Sequence, residues 1–400
     1  MADFDRSAPA TPVSGKPRRQ DQKAPRRHSS TKGDVGKKSA GVQVERRTNN
    51  ARNPSHRRWR GPVYAALDLG TNNCRLLVAR PHEGSFRVLD GFSRIVRLGE
   101  GVSTTGRLDD AAMERTFEAL RQCGNKLSHH QPQSMRLIAT EACRAAANSG
   151  EFLDRVQSEL GLELEIVDRR TEAELAVTGC GDLIEDDAKG ALLFDIGGGS
   201  SELAWLDFRG GRPKTQGKMS ASIRSWQSLP VGVVSIAEKF GGIDVTPEVF
   251  EEMVAFVANQ LQQFKGRNKL RDMIAEHPVH LIGTSGTVTT LAGLHLGLDR
   301  YDRSKVDGLW MRNEEVMDTM RVLLQMPYDR RVSHPCIGKD RADLVLPGCA
   351  IFEAIRREWT TERIRVADRG LREGILISLM DADRAWSRRS QRQKRNTKNG

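Results

Sequence analysis

Two stretches of this chain share one plan. Leu67–Ala79 (LDLGTNNCRLLVA) and Phe194–Leu206 (FDIGGGSSELAWL) each read as an apolar strand ending on an aspartate, a turn of glycine and small polar residues, and a second strand. In the first copy Asp68 precedes Gly70, Thr71, Asn72 and Asn73; in the second Asp195 precedes Gly197, Gly198, Gly199, Ser200 and Ser201. Glycine lets backbone N–H groups approach an anion closely, and hydroxyls and amides add donors. A strand-end aspartate can hold a divalent cation, directly or through water. A single D-x-G turn also suits an ordinary hairpin. Two in matching register imply a duplicated α/β domain with a cleft between its halves, where a polyphosphate-bearing ligand binds.

A third glycine-rich turn supports the same reading. His280–Gly283 reads as a strand opening onto GTSGTVTTLAG, so Gly283, Thr284, Ser285 and Gly286 sit where a helix begins. The exposed N–H groups and dipole of such a helix start suit an anion, although a plain strand-to-helix junction would look alike. Around these turns the pattern predicts strands at 63–68, 74–80, 86–98, 135–140, 162–168, 191–195, 201–208, 224–229 and 364–367. Helices are predicted from about Asp109, capped by Asp109 or Asp110, and at 142–160, 171–184, 249–264, 314–326, 342–359 and from Leu371. The 342–359 helix is expected to be interrupted near Pro347 and Gly348.

Charge divides the chain into a core and two ends. Residues 1–60 carry 16 Lys and Arg against 5 Asp and Glu, and residues 384–400 carry 7 against none, while the remainder holds 40 against 47. The ends are poor in large apolar residues and read as disordered basic arms, 1–60 and 385–400, either simply solvated or able to make weak RNA or polyanion contact. No signal-peptide core and no run of about 18 apolar residues is present, so no transmembrane segment and a cytoplasmic location are expected. Six cysteines without a C-x-x-C pair suit reduced, packed thiols.

The motifs DLGTNNCRLLV, RLGEG (Arg97–Gly101), ATEACRAAAN (Ala139–Asn148), DRRTEAE (Asp168–Glu174), DIGGGSSEL, GTSGT and GLREGIL occur in this order. Together they resemble the exopolyphosphatase and guanosine pentaphosphate phosphohydrolase (Ppx/GppA) family, in its short two-domain form, over about residues 62–382. The resemblance implies an α/β fold of two ribonuclease-H-like domains of the actin-like ATPase superfamily, 61–189 and 190–384, flanking a central cleft. It implies Mg²⁺-dependent hydrolysis of a terminal phosphoanhydride, in inorganic polyphosphate or in guanosine pentaphosphate. Glu172 falls on the family's catalytic glutamate, although Arg169, Thr171 and Glu174 depart from the surrounding motif. Asp195 and Glu202 fall on its second phosphate motif and Asp68 on its first, as Mg²⁺ ligands, with Glu202 alternatively positioning the water. Arg144 resembles a phosphate-contacting arginine, whereas Arg75, Arg94, Arg97 and Arg372 are equally readable as surface ion-pair residues. An ATP-using kinase or ATPase of the same superfamily and a non-catalytic polyphosphate- or nucleotide-binding regulator remain as alternatives, and a homodimer is left open.

Overall fold

The apolar runs that end on Asp68 and Asp195 are the central strands of two sheets. The computed structural model describes residues 61–386, so segment 1–60 and all but two residues of 385–400 lie outside the described residues. The first sheet contains β1 (Tyr64–Leu69), β2 (Asn73–His82), β3 (Ser85–Ile95), β4 (Ser134–Ala139) and β5 (Glu165–Ile166), in the order β3-β2-β1-β4-β5. The second contains β6 (Gly190–Ile196), β7 (Ser201–Asp207), β8 (Ile223–Leu229), β9 (Val279–Thr284), β10 (Trp310–Arg312) and β11 (Arg363–Ala367), in the order β10-β11-β9-β6-β7-β8. Apart from the added edge strand β10, the two orders are the same. Within each sheet the central strand pairs antiparallel with the next strand and parallel with the fourth of its series, β1 with β2 and β4, β6 with β7 and β9.

Alternation along the central strands builds two cores per sheet. Ala65, Leu67 and Leu69 of β1 join a core with Leu120 and Val156 from the Asp110–His130 and Ser149–Leu160 helices, while Tyr64 and Ala66 face Ile375, Leu376 and Met380 of the Leu371–Ala382 helix. In β6, Leu192, Phe194 and Ile196 face the Pro247–Leu261 and Val345–Glu358 helices, and Ala191 and Leu193 face Ala176, Val177 and Cys180 of the Arg169–Cys180 helix. Each fully buried Leu or Phe in such a core contributes about 1.5–3 kcal/mol. The inner helices are therefore exchanged: the Arg169–Cys180 helix follows the first sheet in sequence yet packs on the second, and the Leu371–Ala382 helix does the reverse. The two cross in near-backbone contact, because a methyl group on Gly179 would collide with Gly370 O and one on Gly374 with Leu175 O.

Three expected elements differ. The 142–160 helix is two, Glu141–Ala145 and Ser149–Leu160, because Ala146 turns extended and the Asn148 amide is drawn to Leu108, accepting from its N–H (2.7 Å) and donating to its C=O (3.1 Å). The 162–168 strand shrinks to β5, an edge strand paired only through Glu165 and Ile166. The last long helix begins at Val345 and is not interrupted, since Pro347 lies in its first turn, where its missing N–H has no partner to lose. All six cysteines are buried and free. Among the described residues no helix is long and apolar enough to cross a membrane.

Candidate active site

Strand parity aims the two repeated aspartates inward. Asp68 follows Tyr64 and Ala66 on the inner face of β1, and Asp195 follows Ala191 and Leu193 on the inner face of β6, so both open into one cleft of about 650 Å³ between the sheets. The cleft is lined by Asp68, Gly70 to Asn73, Glu172, Asp195, Gly197 to Ser200, Glu202 and Thr284 to Gly286. The two glycine turns face each other at its edge: a methyl on Gly198 would sit 2.8 Å from Thr71 Cβ and 3.1 Å from Asn72 N. Within the second turn Gly197 N–H closes on Ser200 O at 2.9 Å, while among the described residues the N–H groups of Gly198 and Gly199 find no acceptor. Those are the donors an anion would use.

Three of the expected residues stand apart from the cleft. Ser201 turns away and donates to Val231 O (2.7 Å), and Gly283 is a packing position inside β9, where a methyl would collide with the Phe194 ring. Arg144 stands behind the cleft and binds carboxylates: its guanidinium lies 2.7 Å from Glu141 and 3.0 Å from Glu172, and donates to Val167 O at 2.5 Å. Glu141 is in turn held at 2.8 Å by Arg169, one of the three residues around Glu172 that set this segment apart. Arg75 and Arg372 line the cleft beside Asp68, whereas Arg94 bonds Gln122 and Arg97 pairs with Asp343. Sequence reasoning missed Arg303, Lys339 and Arg369, which also line the cleft. Arg369 stands directly before the GLREGIL motif and Lys339 directly after Gly338, so the adjacent glycines are the signal that could have found them, whereas Arg303 opens the short Arg303–Val306 helix and carries no such mark. Arg303 is engaged by Glu373 and Arg369 by Asp307 and Asp182.

Of the carboxyls that line the cleft, Asp68, Glu172, Asp195 and Glu202 are all pushed up by burial. Glu202, only 4% exposed, is raised to about 7 by burial and then by Asp195, against hydrogen bonds from Ser200 (2.6 Å) and Ser228 (2.9 Å). Asp68 is raised to about 6 by burial, opposed by Arg75 and Arg372. Burial also raises Asp195, which accepts from Ser285 Oγ, and raises Glu172 well above the carboxylate range, with Glu202 adding to the effect and Arg144 opposing it. Glu172 lies in the first turn of a helix capped by Asp168, yet its side chain is only 12% exposed, so it is no solvated helix-surface charge. A buried set of hard oxygen donors short of counter-charge is the donor chemistry a divalent cation satisfies. Their oxygens do not converge as a closed cage, however. Among the described residues the trio whose ligand atoms all lie within 4.8 Å of one another is Glu185, Asp187 and His280, at the far end of β6 and β9. There Glu185 is already held by Trp310 Nε1 (2.9 Å), Arg363 and Arg365.

This chain is similar to known proteins over its whole described fold. Exopolyphosphatase 2 of Mycobacterium tuberculosis is 28% identical over 328 residues, covering 79% of this chain and 98% of that protein. The crystal structure of the Aquifex aeolicus member of the Ppx/GppA family superposes with a TM-score of 0.64 at 27% identity, covering 80% of this chain and 98% of that one. An exopolyphosphatase from Cytophaga hutchinsonii shares the fold with a TM-score of 0.70 at 23% identity, over 80% of this chain and 98% of its own. A sequence profile of the Ppx/GppA phosphatase family matches residues 77–383, from the second strand of the first repeat to the end of the exchanged C-terminal helix. The chain belongs to the Ppx/GppA phosphatase family.

Proposed function

We propose that the protein is a Mg²⁺-dependent exopolyphosphatase that releases terminal orthophosphate from inorganic polyphosphate and also acts on guanosine pentaphosphate. Two ribonuclease-H-like halves, 61–189 and 190–384, would flank the cleft in a cytoplasmic enzyme whose basic ends attract polyanions. The observation that carries this reading is the juxtaposition of Glu172 and the Asp195–Glu202 pair with unpartnered turn amides and two arginines in one cleft. A carboxyl with a raised pKa is a base able to take a proton near neutrality. Amides and guanidinium groups bind the oxygens that carry the charge.

In the reaction, Glu172 accepts a proton from a water as its oxygen bonds to the terminal phosphorus. The bridging P–O bond breaks, and its electron pair stays on the shortened chain. Arg144 keeps the Glu172 carboxylate oriented, with Glu141 sharing the guanidinium. The N–H groups of Gly198 and Gly199 hold the terminal phosphate, and Arg75 and Arg372 the phosphates behind it, so attacking and leaving oxygens stay in line. Mg²⁺ would neutralise phosphate oxygens there, and Asp195, Glu202 and Asp68 are the residues that would hold it. Side-by-side phosphate release from long polyphosphate and from guanosine pentaphosphate, with Mg²⁺ and without nucleotide, tests the reading. A higher kcat/KM on polyphosphate supports it; release from neither substrate overturns it in favour of a binding protein.

A further inference from the structure

The RLGEG run, Arg97–Gly101, is left without a task by this chemistry. Its backbone runs beneath the first glycine turn. Val96 and Arg97 N–H both donate to Asn72 O (2.9 and 3.1 Å), and Gly99 N–H donates to Thr71 O (2.9 Å). The contact is tight, since a methyl on Gly99 would collide with Thr71. Arg97 adopts φ 49°, a left-handed conformation uncommon for a residue with a side chain and held here by those bonds.

The side chains of this loop reach the other half of the molecule. Arg97 Nη2 donates to Asp343 Oδ1 (2.8 Å) and to Asp340 O (3.2 Å), while Gly101 N–H donates to Glu238 Oε1 (2.8 Å) and Ser103 Oγ to Glu238 Oε2. Asp340, Leu344 and Val345 line the cleft and lead into the Val345–Glu358 helix, which abuts the third glycine turn where Gly348 meets Thr287. Arg97 and Asp343 side chains are 27% and 21% exposed, so their attraction is less screened than that of a surface pair.

We propose that Arg97 is a positioning residue. Acting through Asp343 and Asp340, it fixes the Thr71–Asn72 turn at the separation from the Gly197–Ser200 turn at which both grip one phosphate chain. The inference rests on the phosphohydrolase reading above. A turn that holds phosphate equally in the ground and transition states changes KM more than kcat when it is displaced.

The test compares Arg97→Ala, Arg97→Lys, Asp343→Asn and the Arg97→Ala/Asp343→Asn pair. For long polyphosphate, Arg97→Ala is expected to raise KM about tenfold with kcat within about threefold, and the double variant to be no worse than Arg97→Ala, because both changes remove one bridge. Arg97→Lys should recover part of the loss, since it keeps the charge without the planar fork. Independently of substrate, backbone amide exchange at residues 70–73 of the ligand-free protein should rise about tenfold in both single variants at Arg97→Ala and Asp343→Asn. That arm reads the bridge even if the wild type hydrolyses neither substrate, so the two readings fail separately. Unchanged exchange at 70–73 overturns the proposal. So do additive KM increases in the double variant, which would put Arg97 on the substrate independently of Asp343, or a fall in melting temperature and kcat with KM unchanged.

Discussion

Asp68 and Asp195 occupy the same place in two sheets of the same order, yet the residue opposite each differs in sign. Across the β1–β2 pair Asp68 faces Arg75; across β6–β7 Asp195 faces Glu202. Directly opposed side chains share a face of the sheet, so each pair acts as one unit. Arg75 opposes the effect of burial on Asp68, and the first turn combines a carboxylate with a cation and donor amides. Asp195 adds to the effect of burial on Glu202, and the second turn holds two carboxyls in want of a cation. One backbone plan, used twice, thus pairs one aspartate with an arginine and the other with a glutamate; the proposed function uses the first as an anion side and the second, with Glu172 beside it, as a cation side. The following parallel strands repeat the pattern more loosely: β4 is followed by Thr140 and β9 ends on Thr284, each the N-cap of a helix, but the first leads to the charged Glu141 and the second to Ser285 and Gly286.

The sharpest way to break this division is to neutralise the residue assigned as base. Glu172→Gln is expected to lower kcat for phosphate release by about 10²–10⁴-fold, the range of general-base catalysis. Arg144 keeps Glu141 as a partner in that variant, so no buried cation is orphaned and the fold should persist. A loss below about tenfold would remove Glu172 from the role. Next in size is the contrast between the aspartates. Asp195→Asn should raise the Mg²⁺ concentration for half-maximal activity about 10–100-fold, as loss of metal-site groups does, and Asp68→Asn by less than about threefold. Arg75→Gln should do the opposite, raising substrate KM about tenfold with the Mg²⁺ requirement unchanged. Equal Mg²⁺ effects at Asp68 and Asp195 would erase the distinction between the turns.

Much of this site is legible in the sequence because its signals are local. A strand that ends on aspartate, glycine and small polar residues needs no tertiary information to be recognised, and all three turns lie where the pattern places them. The seven-residue spacing from Asp68 to Arg75 and from Asp195 to Glu202 is visible too, and a two-strand repeat makes those positions partners. Features that depend on packing between distant segments are not legible. Nothing in RTEAELAV says that the Arg169–Cys180 helix crosses to the second sheet, since apolar residues on one helix face fit either sheet equally. The same holds for Arg144, whose partners Glu141 and Glu172 come together only after the helix break at Ala146 and the turn at Asp168. Arg303 and Lys339 reach the cleft on connecting segments whose course is set by the elements around them.

The smallest effect is in stability, and it also separates the two sides. Carboxyls whose folded pKa is raised above the unfolded value of about 4 favour the folded state below that value and lose that contribution as pH rises through the folded pKa. Those folded values are about 6 for Asp68 and about 7 for Glu202, with Asp195 and Glu172 shifted in the same direction. Without Mg²⁺ the melting temperature should therefore fall by a few degrees between about pH 5 and pH 8. Asp90, which Lys126 and His130 hold down to about 2, works in the opposite direction, but its contribution is lost only as pH falls below about 4, outside this window. Asp68→Asn should flatten the lower part of the fall and Glu202→Gln the upper part. Saturating Mg²⁺ should remove most of the Glu202 part and little of the Asp68 part, because only the cation side gains a counter-charge. A thermal-shift series over this pH range on the wild type and both variants, with and without Mg²⁺, reads these effects together. If Mg²⁺ flattened the Glu202→Gln profile as strongly as the wild-type one, the ion would be acting somewhere other than the Asp195–Glu202 pair.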